Sequence, residues 1–526
     1  MIYRSPFPDV AIPEVALPQF LLEQVAQRGD KAALIDAPTG RTISYGLLAR
    51  AVDRVAAGLA ARGLRAGDVF AVYSPNLPEY AVVFLAVARL GGTVTTVNPL
   101  YRPAELAQQL ADSGARAMIT VPPFLEAALA AARQVGLEEV FVFGEAEGAT
   151  PFAALMAAEG QVPDVAIDPH DVVVMPYSSG TTGLPKGVML THRNLVANIC
   201  QIQGLHDYTA VPIDADDVVL GLLPFFHIYG MVVIMLAALH QGATVVTMPR
   251  WDLEQFLQFR QQYGITYANV VPPIVMALAK HPVVERYDMG GLRGLMSGAA
   301  PMGAAVARLA AQRLGCAVMQ GYGMTELSPV SHSNPDPPET IDMASVGPPI
   351  PNTECRLIDV ATGEDVAEGG TGELLVRGPQ VMKGYLNDPD ATAATLDDEG
   401  WLHTGDIATV DERGYFSVVD RVKELIKFKG FQVAPAELEA LLIGHPDIAD
   451  AAVIGSPDPS AGEVPKAFIV AGGQISADEI MAFVAERVAP HKKVRKVEFV
   501  SEIPKAASGK ILRRELIARE RSQAGV

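Results

Sequence analysis

The chain has 526 residues, which is enough for several packed layers of secondary structure in one or two large domains. Hydrophobic residues make up 49% and charged residues 19%, a composition that argues against disordered and collagen-like chains. The formal net charge of −19 repels polyanions, so nucleic acid is disfavoured as the main partner, and a phosphate ligand would need local donors.

Cysteine usage and the chain ends bear on the cellular compartment. Cys200, Cys316 and Cys355 are too few and too scattered for a disulfide framework or a cysteine-rich metal site. The most apolar run, 231–239, is about half as long as a membrane helix, and neither end carries a secretory or peroxisomal signal. We therefore expect a cytoplasmic monomer or homodimer that does not bind membranes.

Short apolar runs alternate with helical patterns through the first four-fifths of the chain. The runs are 69–73, 93–97, 117–121, 140–143, 172–175, 218–223 and 244–248. Helical patterns such as 80–90 and 102–113 lie between them. This alternation predicts βαβ units with buried parallel strands, and hence one or two open α/β sheets.

The last part of the chain has a different pattern, beginning near Asp420. Short strands are predicted at 451–454, 467–470 and 496–500. One helix is predicted to begin at Pro435, and a capping box led by Ser476 begins another. We predict a small α+β domain at 420–526 after a large domain at 1–419.

The stretch YSSGTTGLPKGVMLTHRN, residues 177–194, follows the predicted strand 172–175 and precedes a helical pattern that starts near Thr191. Its serines, threonines and glycines lead to Lys186 and supply the hydroxyl and N–H donors that a polyphosphate needs. It is not a Walker A motif, because Lys186 is followed by Gly187. A flexible surface linker is the alternative, but linkers seldom follow a buried strand directly.

This loop resembles the signature loop of the adenylate-forming superfamily of acyl-CoA and aryl-CoA ligases, nonribosomal peptide adenylation domains and firefly-type luciferases. Four more motifs stand in the order typical of that superfamily: GYGMTE at 321–326, GWLHTGDI at 400–407, DRVKELIKFKGFQVAPAELEALL at 420–442 and PKAASGKILRREL at 504–516. The resemblance covers essentially the whole chain. It implies an α/β fold in which a large N-terminal domain of stacked sheets carries a β-barrel-like lobe and precedes a small, mobile α+β domain with a hinge near Asp420.

The resemblance also implies a reaction. The superfamily uses ATP and Mg²⁺ to convert a carboxylic acid into an acyl-AMP with release of pyrophosphate, and its CoA ligases then transfer the acyl group to coenzyme A. Such chemistry depends mainly on positioning and charge neutralisation. The implied partners of this chain are therefore ATP, CoA and a small carboxylic acid.

The resemblance assigns most nucleotide contacts by motif. The phosphates fall to the loop Ser178, Ser179, Gly180, Thr181, Thr182, Gly183 and Lys186. Thr325 is expected near the α-phosphate, Glu326 as the Mg²⁺ carboxylate, Asp406 on the ribose hydroxyls and Arg421 on ribose or phosphate oxygens. The remaining nucleotide positions are Gln320, Gly321, Tyr322, Lys423, Lys427 and Gln432.

The small domain is expected to carry residues for both half-reactions. By resemblance, Lys510 bridges the attacking carboxylate and the α-phosphate, whereas Lys429 and Gly430 contact CoA. From charge alone, Lys510 would be one more solvated residue of a basic tail that includes Arg513. The alternation in KFKGFQ puts the two lysines on one face if it is extended. The expected catalytic residues are Lys510, His227, Thr325, Glu326 and Lys427.

The stretch LPFFHIYG, residues 223–230, resembles the acyl-pocket entry of 4-coumarate:CoA ligases. His227 would lie at the pocket mouth, unless it is a structural histidine. The pocket carried over by motif consists of Ile228, Tyr229, Val232, Asn269, Met296, Gly298, Ala299, Gly321, Gly323, Pro329, Val330 and Ser331. We expect its glycines to leave room for a flat ring, and Asn269 either to meet a ring hydroxyl or to cap backbone.

The expected substrate is thus an aryl or arylpropenoic acid such as 4-coumarate or cinnamate. A medium-chain fatty acyl-CoA synthetase would share every motif and differ only in pocket depth. A non-catalytic nucleotide-binding homologue is a third possibility. The intact set of Lys186, Glu326, Asp406, Arg421 and Lys510 argues against it.

Overall fold

The computed structural model describes residues 1–137, 139–178, 185–337, 340–367, 369–429, 431–458, 461–506 and 509–524. Two eight-stranded sheets dominate the first four-fifths of the chain. In spatial order, the first contains Gly384–Tyr385, Lys186–Thr191, Val172–Ser178, Thr93–Thr96, Val69–Tyr73, Ala115–Thr120, Glu139–Val142 and Thr150–Pro151. The second contains Val330–Ser333, Ala317–Gly323, Gly294–Ser297, Tyr267–Val270, Val218–Gly221, Thr244–Thr247, Ala32–Asp36 and Thr42–Ser44.

Both sheets are parallel in their centres and antiparallel only towards their edges. The predicted parallel strands are therefore confirmed, and Val69–Tyr73 has the predicted bounds. The strand Lys186–Thr191 was not predicted, because its glycine and polar residues hide the alternation of a strand. It pairs antiparallel with Val172–Ser178, the strand that precedes the predicted phosphate loop in the chain.

Two smaller sheets complete the molecule. The third is antiparallel and contains, in order, Tyr3–Arg4, Glu354–Ile358, Thr371–Arg377, Leu402–Val410 and Phe416–Arg421. It corresponds to the predicted barrel-like lobe, although its pairing is an open path over the described residues. The fourth contains Phe431–Val433, Ile426–Phe428, Gly462–Ala471 and Ile448–Asp458, with Lys496–Phe499 parallel to Gly462–Ala471.

The helices pack on these sheets. The α-helices are Leu17–Ala26, Tyr45–Ala61, Pro78–Arg89, Pro103–Ser113, Leu125–Val135, Phe152–Met156, His192–Gln203, Ala238–Gln241, Leu253–Tyr263, Pro272–Lys280, Ala304–Leu314, Pro389–Ala393, Pro435–Ile443, Ala477–Ala485 and Arg513–Ala524. A π-helix spans Tyr229–Ala237, and short 3₁₀ turns span Pro122–Phe124, Pro282–Arg286, Thr325–Leu327 and Pro490–Lys492. Within the described ranges, every helix is too short or too polar to cross a bilayer.

One continuous hydrophobic core joins the two large sheets. Helices Tyr45–Ala61 and Pro78–Arg89 contribute Val52, Val55 and Phe84 to it, all with less than 2% exposure. A separate core lies under helices Pro103–Ser113 and Leu125–Val135. Polar loops at the carboxyl ends of parallel strands are the usual place for ligands in such sheets, which is where the predicted site motifs fall.

The C-terminal part has its own hydrophobic core, formed by residues between Ile426 and Val494. Helix Pro435–Ile443 begins with its proline, as predicted, and the Ser476 capping box is present on helix Ala477–Ala485. The mixed α/β class with a smaller α+β unit is thus confirmed. The boundary between residues 419 and 420 stays a prediction.

All three cysteines are free and buried. Burial raises the pKa of the Cys200 thiol to about 11 and that of Cys316 to about 12. The Cys355 sulfur lies 3.5 Å from Nε2 of His332, and burial raises the pKa of that thiol as well. Thiols of this kind remain protonated at neutral pH.

Candidate active site

The base of the phosphate loop is a strand pair in which Ser178 lies opposite Lys186. The loop residues Ser179, Gly180, Thr181, Thr182 and Gly183 lie outside the described residues. The Lys186 ammonium lies 2.9 Å from Oδ2 of Asp388 and 5.3 Å from the centre of the Tyr385 ring. Two residues that no motif indicated therefore hold this lysine beside the loop.

Glu326 lies in the 3₁₀ turn that Thr325 begins, and it is only 5% exposed. Its Oε1 accepts hydrogen bonds from the Ser178 hydroxyl at 3.1 Å and from the Tyr385 hydroxyl at 2.9 Å. Its Oε2 accepts no hydrogen bond from any residue in the described ranges. Mg²⁺ is commonly bound by one or two carboxylates together with substrate phosphates, so this oxygen fits the ion.

Asp406 and Arg421 lie opposite each other on strands Leu402–Val410 and Phe416–Arg421. The Arg421 Nε lies 3.1 Å from Oδ1 of Asp406, and the Tyr322 hydroxyl donates to Oδ2 at 2.6 Å. Burial raises the pKa of Asp406, although the guanidinium of Arg421 opposes this. An ionised carboxylate accepts about four hydrogen bonds, so capacity remains for two hydroxyl groups of a ribose.

Lys510 reaches this site from the C-terminal part of the chain. Its loop turns at Gly509, whose φ is +79°, and a Cβ built there would lie 3.2 Å from Val271 and 3.3 Å from Pro273. The lysine loop therefore packs against the start of helix Pro272–Lys280. Burial, followed by the positive charge of Arg421, lowers the pKa of Lys510 to about 8. Lys510 is thus partly desolvated rather than free in solvent.

His227 lies close enough to Lys510 to sense its charge. Burial and that ammonium lower the pKa of His227 to about 4, so the ring is neutral at pH 7. The Tyr229 N–H donates to Nδ1 at 3.4 Å, which leaves the ring proton on Nε2. The Nε2–H group of His227 can therefore donate to a carboxylate substrate beside Lys510. This geometry favours a role at the pocket mouth over a purely structural one.

A buried asparagine that sequence reasoning missed holds the His227 loop. Asn76 accepts a hydrogen bond from the Phe225 N–H at 2.7 Å and donates to the carbonyls of Gly221 and Leu223 at 2.9 Å each. Asn76 follows strand Val69–Tyr73 of the first sheet, whereas the His227 loop follows strand Val218–Gly221 of the second. Its role is therefore visible only from contacts between residues far apart in the sequence. It fixes the chain immediately before the π-helix that carries Tyr229.

The expected acid pocket gathers around Tyr229. Its hydroxyl donates to the Met296 carbonyl at 3.0 Å and lies 3.3 Å from Oδ1 of Asn269. The Nδ2 of Asn269 is buried and has no hydrogen-bond partner in the described part of the chain. The capping alternative for Asn269 is therefore not observed. Ile228 and Val232 are fully buried beside this cluster.

Two further predicted positions, Gln320 at the nucleotide and Ser331 in the pocket, have side chains that are already engaged. The Gln320 amide accepts from the Met302 N–H at 3.1 Å and donates to the Met343 carbonyl at 2.6 Å, so a ligand contact would fall to its backbone. The Ser331 hydroxyl lies 3.0 Å from Nδ1 of His332. Ala299 has a φ of +68° directly after the strand that ends at Ser297.

The expectation that the glycines leave space for a ring is wrong for Gly323. A Cβ built on Gly323 would lie 2.0 Å from the Pro329 carbonyl oxygen and 3.1 Å from the Cα of Val330. At Gly321 it would meet the His332 carbonyl at 3.1 Å, and at Gly298 the Tyr229 ring at 2.9 Å. The φ of Gly323 is not in the left-handed region, so the glycine is required by the close approach of two strands.

Replacing Gly323 by alanine is therefore expected to reduce activity equally for aromatic and aliphatic acids. Overpacking typically costs about 1 to 3 kcal/mol of folding free energy, and here a backbone carbonyl must move. The measurement is kcat/KM for 4-coumarate and hexanoate together with urea unfolding. Gly303→Ala is the matched control, because a Cβ there meets nothing within 4 Å. A loss confined to 4-coumarate, with normal stability, would contradict this explanation.

The KFKGFQ segment holds residues expected at the nucleotide, Lys427 and Gln432, and residues expected at CoA, Lys429 and Gly430. Lys427 and Lys429 are exposed and Phe428 between them is buried, which confirms the predicted alternation. Lys423 is exposed in the preceding turn. Gly430 and the side chain of Gln432 lie outside the described residues. The structure brings Lys510, but not Lys427 or Lys429, to the nucleotide site.

A second group that the motifs did not single out lies behind Lys510. Arg513 is buried and bonds the carboxylates of Glu424 and Glu439, so it is not a solvated residue of the tail. Asp420, the predicted hinge position, accepts from the N–H groups of Arg421 at 2.6 Å and Ala436 at 2.9 Å. Burial raises the pKa of Asp420 to about 6.

Comparisons with known proteins agree with this geometry. The family profile described as "AMP-binding enzyme" matches residues 21–386, and "AMP-binding enzyme C-terminal domain" matches 437–510. The chain is 46% identical to 4-coumarate--CoA ligase 5 of Oryza sativa subsp. japonica, over 98% of this chain and 97% of that protein. It is 44% identical to 4-coumarate--CoA ligase of Pinus taeda, with the same two coverages.

A solved structure supports the fold as well. An anthranilate CoA ligase in complex with anthranoyl-AMP has a TM-score of 0.90 and 26% identity, with 98% of each chain covered. A benzoate CoA ligase from Burkholderia xenovorans LB400 has a TM-score of 0.85 and 26% identity, covering 95% of this chain and 99% of that one. The resemblance inferred from five motifs is confirmed: the chain belongs to the family of AMP-binding, adenylate-forming enzymes.

Proposed function

We propose that this protein joins an arylpropenoic acid such as 4-coumarate to coenzyme A through an acyl-AMP intermediate, using ATP and Mg²⁺. The observation that carries the proposal is the placement of Lys510. Its ammonium is partly buried near Asp406, Arg421 and His227, although it comes from the opposite end of the chain. A positive charge between a nucleotide site and an acid pocket is what acid activation requires.

In the first half-reaction, a carboxylate oxygen attacks the α-phosphorus and pyrophosphate leaves with the electrons of the broken P–O bond. No proton transfer is needed, so the residues act by position and charge. Lys510 neutralises the two anions that approach each other, and Ser178 and Lys186 hold the departing phosphates. Glu326 would hold Mg²⁺, which would supply further positive charge to those phosphates.

In the second half-reaction, the thiol of CoA must reach the acyl group, at the place that Lys510 occupies in the first. Attack of the CoA sulfur on the acyl carbon forms the thioester and releases AMP, while the thiol proton passes to solvent or phosphate. Because Lys429 is exposed and Lys510 is the lysine that lies near Asp406, we propose that residues 420–526 rotate about Asp420 to bring Lys429 to the acyl-AMP. The Asp420 carboxylate accepts hydrogen bonds from the backbone N–H groups of Arg421 and Ala436, which both follow it in the chain and would move with the proposed rotating part.

The choice of acid rests on Asn269 and Tyr229. A buried donor without a partner is unfavourable by about 1 to 3 kcal/mol, and a ligand that accepts its hydrogen bond removes that penalty. The hydroxyl of a coumarate ring supplies such an acceptor, whereas an aliphatic chain does not. The similarity to 4-coumarate--CoA ligases supports the same class of acid, and the fatty-acid alternative is not favoured.

The test is a comparison of 4-coumarate, cinnamate and hexanoate with ATP, Mg²⁺ and CoA, monitored by pyrophosphate release and thioester formation. We expect kcat/KM to fall in that order, with about a tenfold step between 4-coumarate and cinnamate for the lost hydrogen bond. Asn269→Ala is expected to remove that step and leave cinnamate nearly unchanged. Hexanoate as the best substrate would support a fatty acyl ligase, and no AMP with any acid would support a non-catalytic binder.

A further inference from the structure

Tyr385 touches two of the groups that the proposed function assigns to the phosphates and the metal. Its hydroxyl donates to Oε1 of Glu326 at 2.9 Å, and its ring faces the Lys186 ammonium at 5.3 Å from the ring centre. It comes from a short edge strand, Gly384–Tyr385, where it lies opposite Val188. None of the five sequence motifs contains it.

The contacts of Tyr385 fix its direction. Its N–H donates to the Thr392 hydroxyl at 2.9 Å, and its strand pairs with Lys186–Thr191. A donor held in this way determines which face of its acceptor is free.

The pattern of bonds on Glu326 shows what this donor accomplishes. Ser178 and Tyr385 both donate to Oε1, and no described residue donates to Oε2. The carboxylate is nearly buried, so it has little solvent to stabilise other rotamers. With Oε1 engaged twice, Oε2 is the oxygen directed towards a cation.

We infer that Tyr385 is a positioning residue for the metal: its hydroxyl orients Glu326 to bind Mg²⁺ through Oε2, while its ring supports Lys186 beside the phosphates. This inference rests on the proposed function, in which Glu326 and Lys186 serve the nucleotide. Tyr385 would act through these two side chains. Hydrogen bonds to ligating carboxylates commonly tune metal affinity by about 10- to 100-fold.

Two substitutions separate the hydroxyl from the ring. Tyr385→Phe removes only the donor to Glu326, whereas Tyr385→Leu also removes the aromatic face under Lys186. Tyr415→Phe is the matched control, because the Tyr415 hydroxyl donates to the Asp336 carboxylate at 2.7 Å in the third sheet. Each variant is first checked for an unchanged melting temperature.

The main readout is the factor by which Mg²⁺ tightens ATP binding, measured by calorimetry with Mg²⁺ and with chelator in the absence of acid. We expect Tyr385→Phe to reduce this factor about tenfold without changing the affinity for metal-free ATP. Tyr385→Leu should also weaken metal-free ATP, because Lys186 loses its support. In acid-dependent turnover, the Mg²⁺ concentration for half-maximal rate should rise while KM for the acid stays constant.

Different failures have different meanings. Wild-type protein that neither binds ATP nor turns over an acid would overturn the proposed function. Normal wild-type behaviour with an unchanged Mg²⁺ factor in Tyr385→Phe would overturn the inference alone. An equal reduction in Tyr415→Phe, or a uniform loss of melting temperature and kcat without a Mg²⁺ effect, would show that the tyrosine is only structural.

Discussion

Lys510→Ala is expected to lower acid-dependent exchange of pyrophosphate into ATP by about 10²- to 10³-fold, since it removes a preorganised charge from the phosphoryl-transfer step. Thioester formation from preformed coumaroyl-AMP and CoA should remain close to the wild-type rate. The lysine is needed only while two anions approach each other. Measuring the two half-reactions separately on the same preparation provides the test.

Lys429→Ala is expected to have the complementary effect, on the second half-reaction. Its side chain is exposed and is expected to meet CoA, so this variant should raise KM for CoA and leave pyrophosphate exchange unchanged. Loss of adenylate formation alone in Lys510→Ala and weaker use of CoA alone in Lys429→Ala would show that the small domain presents a different face in each half-reaction. If both half-reactions fell together in either variant, the rotation about Asp420 would be wrong.

The pH profile checks the role of the charge on Lys510. Burial lowers its pKa from the ordinary lysine value of 10.5 to about 8, so the free enzyme loses this charge as pH rises through about 8. We expect kcat/KM for the exchange reaction to decline over that range, because kcat/KM reports groups of the free enzyme. Lys510→Arg should keep whatever activity it has above pH 8, since arginine remains charged.

Asp406→Asn is expected to raise KM for ATP by about 10²- to 10³-fold. The change leaves the partly buried Arg421 without its counter-ion, and breaking a buried pair typically costs about 3 to 5 kcal/mol. It also places an amide N–H₂ near either the Arg421 guanidinium or the Tyr322 hydroxyl. The KM for the acid should change far less, because Asn269 and Tyr229 lie in a different part of the site.

The matched control for Asp406 is Asp217→Asn. Asp217 is 2% exposed and lies 2.8 Å from Arg293, so it is also a buried partner of an arginine. It directly precedes the amino end of strand Val218–Gly221, whereas the site lies at the carboxyl ends of the strands. Both variants should lower the urea midpoint, and only Asp406→Asn should affect ATP. A loss of stability without a change in KM for ATP would remove Asp406 from the ribose site.

The sequence was sufficient to locate candidate site residues that stand in local motifs. Lys510, Glu326 and Asp406 stand in short segments whose order alone indicates their partners, and the structure brings Lys510 and Asp406 together. Helix Pro435–Ile443 was predictable for a related reason, since its proline start and leucine spacing are local signals. Periodicity likewise located the buried parallel strands.

Residues that act across the fold could not be predicted in this way. Tyr385 meets Glu326 from 59 positions away, and Asn76 holds the Phe225 backbone from 149 positions away. Nothing in their neighbouring residues signals those contacts. Gly323 was misinterpreted for the same reason, because the atom that excludes its side chain belongs to another strand, at Pro329. Contacts between strands depend on register, which local patterns do not determine.

The burial of Cys200, Cys316 and Cys355 has a chemical consequence for an enzyme of this kind. A mixed anhydride is an acylating agent that reacts with any accessible thiolate, so a surface cysteine near the pocket would divert the product onto the protein. Here burial raises the pKa of each thiol and removes it from solvent. Self-acylation at cysteine is thereby suppressed, and the activated acyl group is left for a thiol that diffuses in.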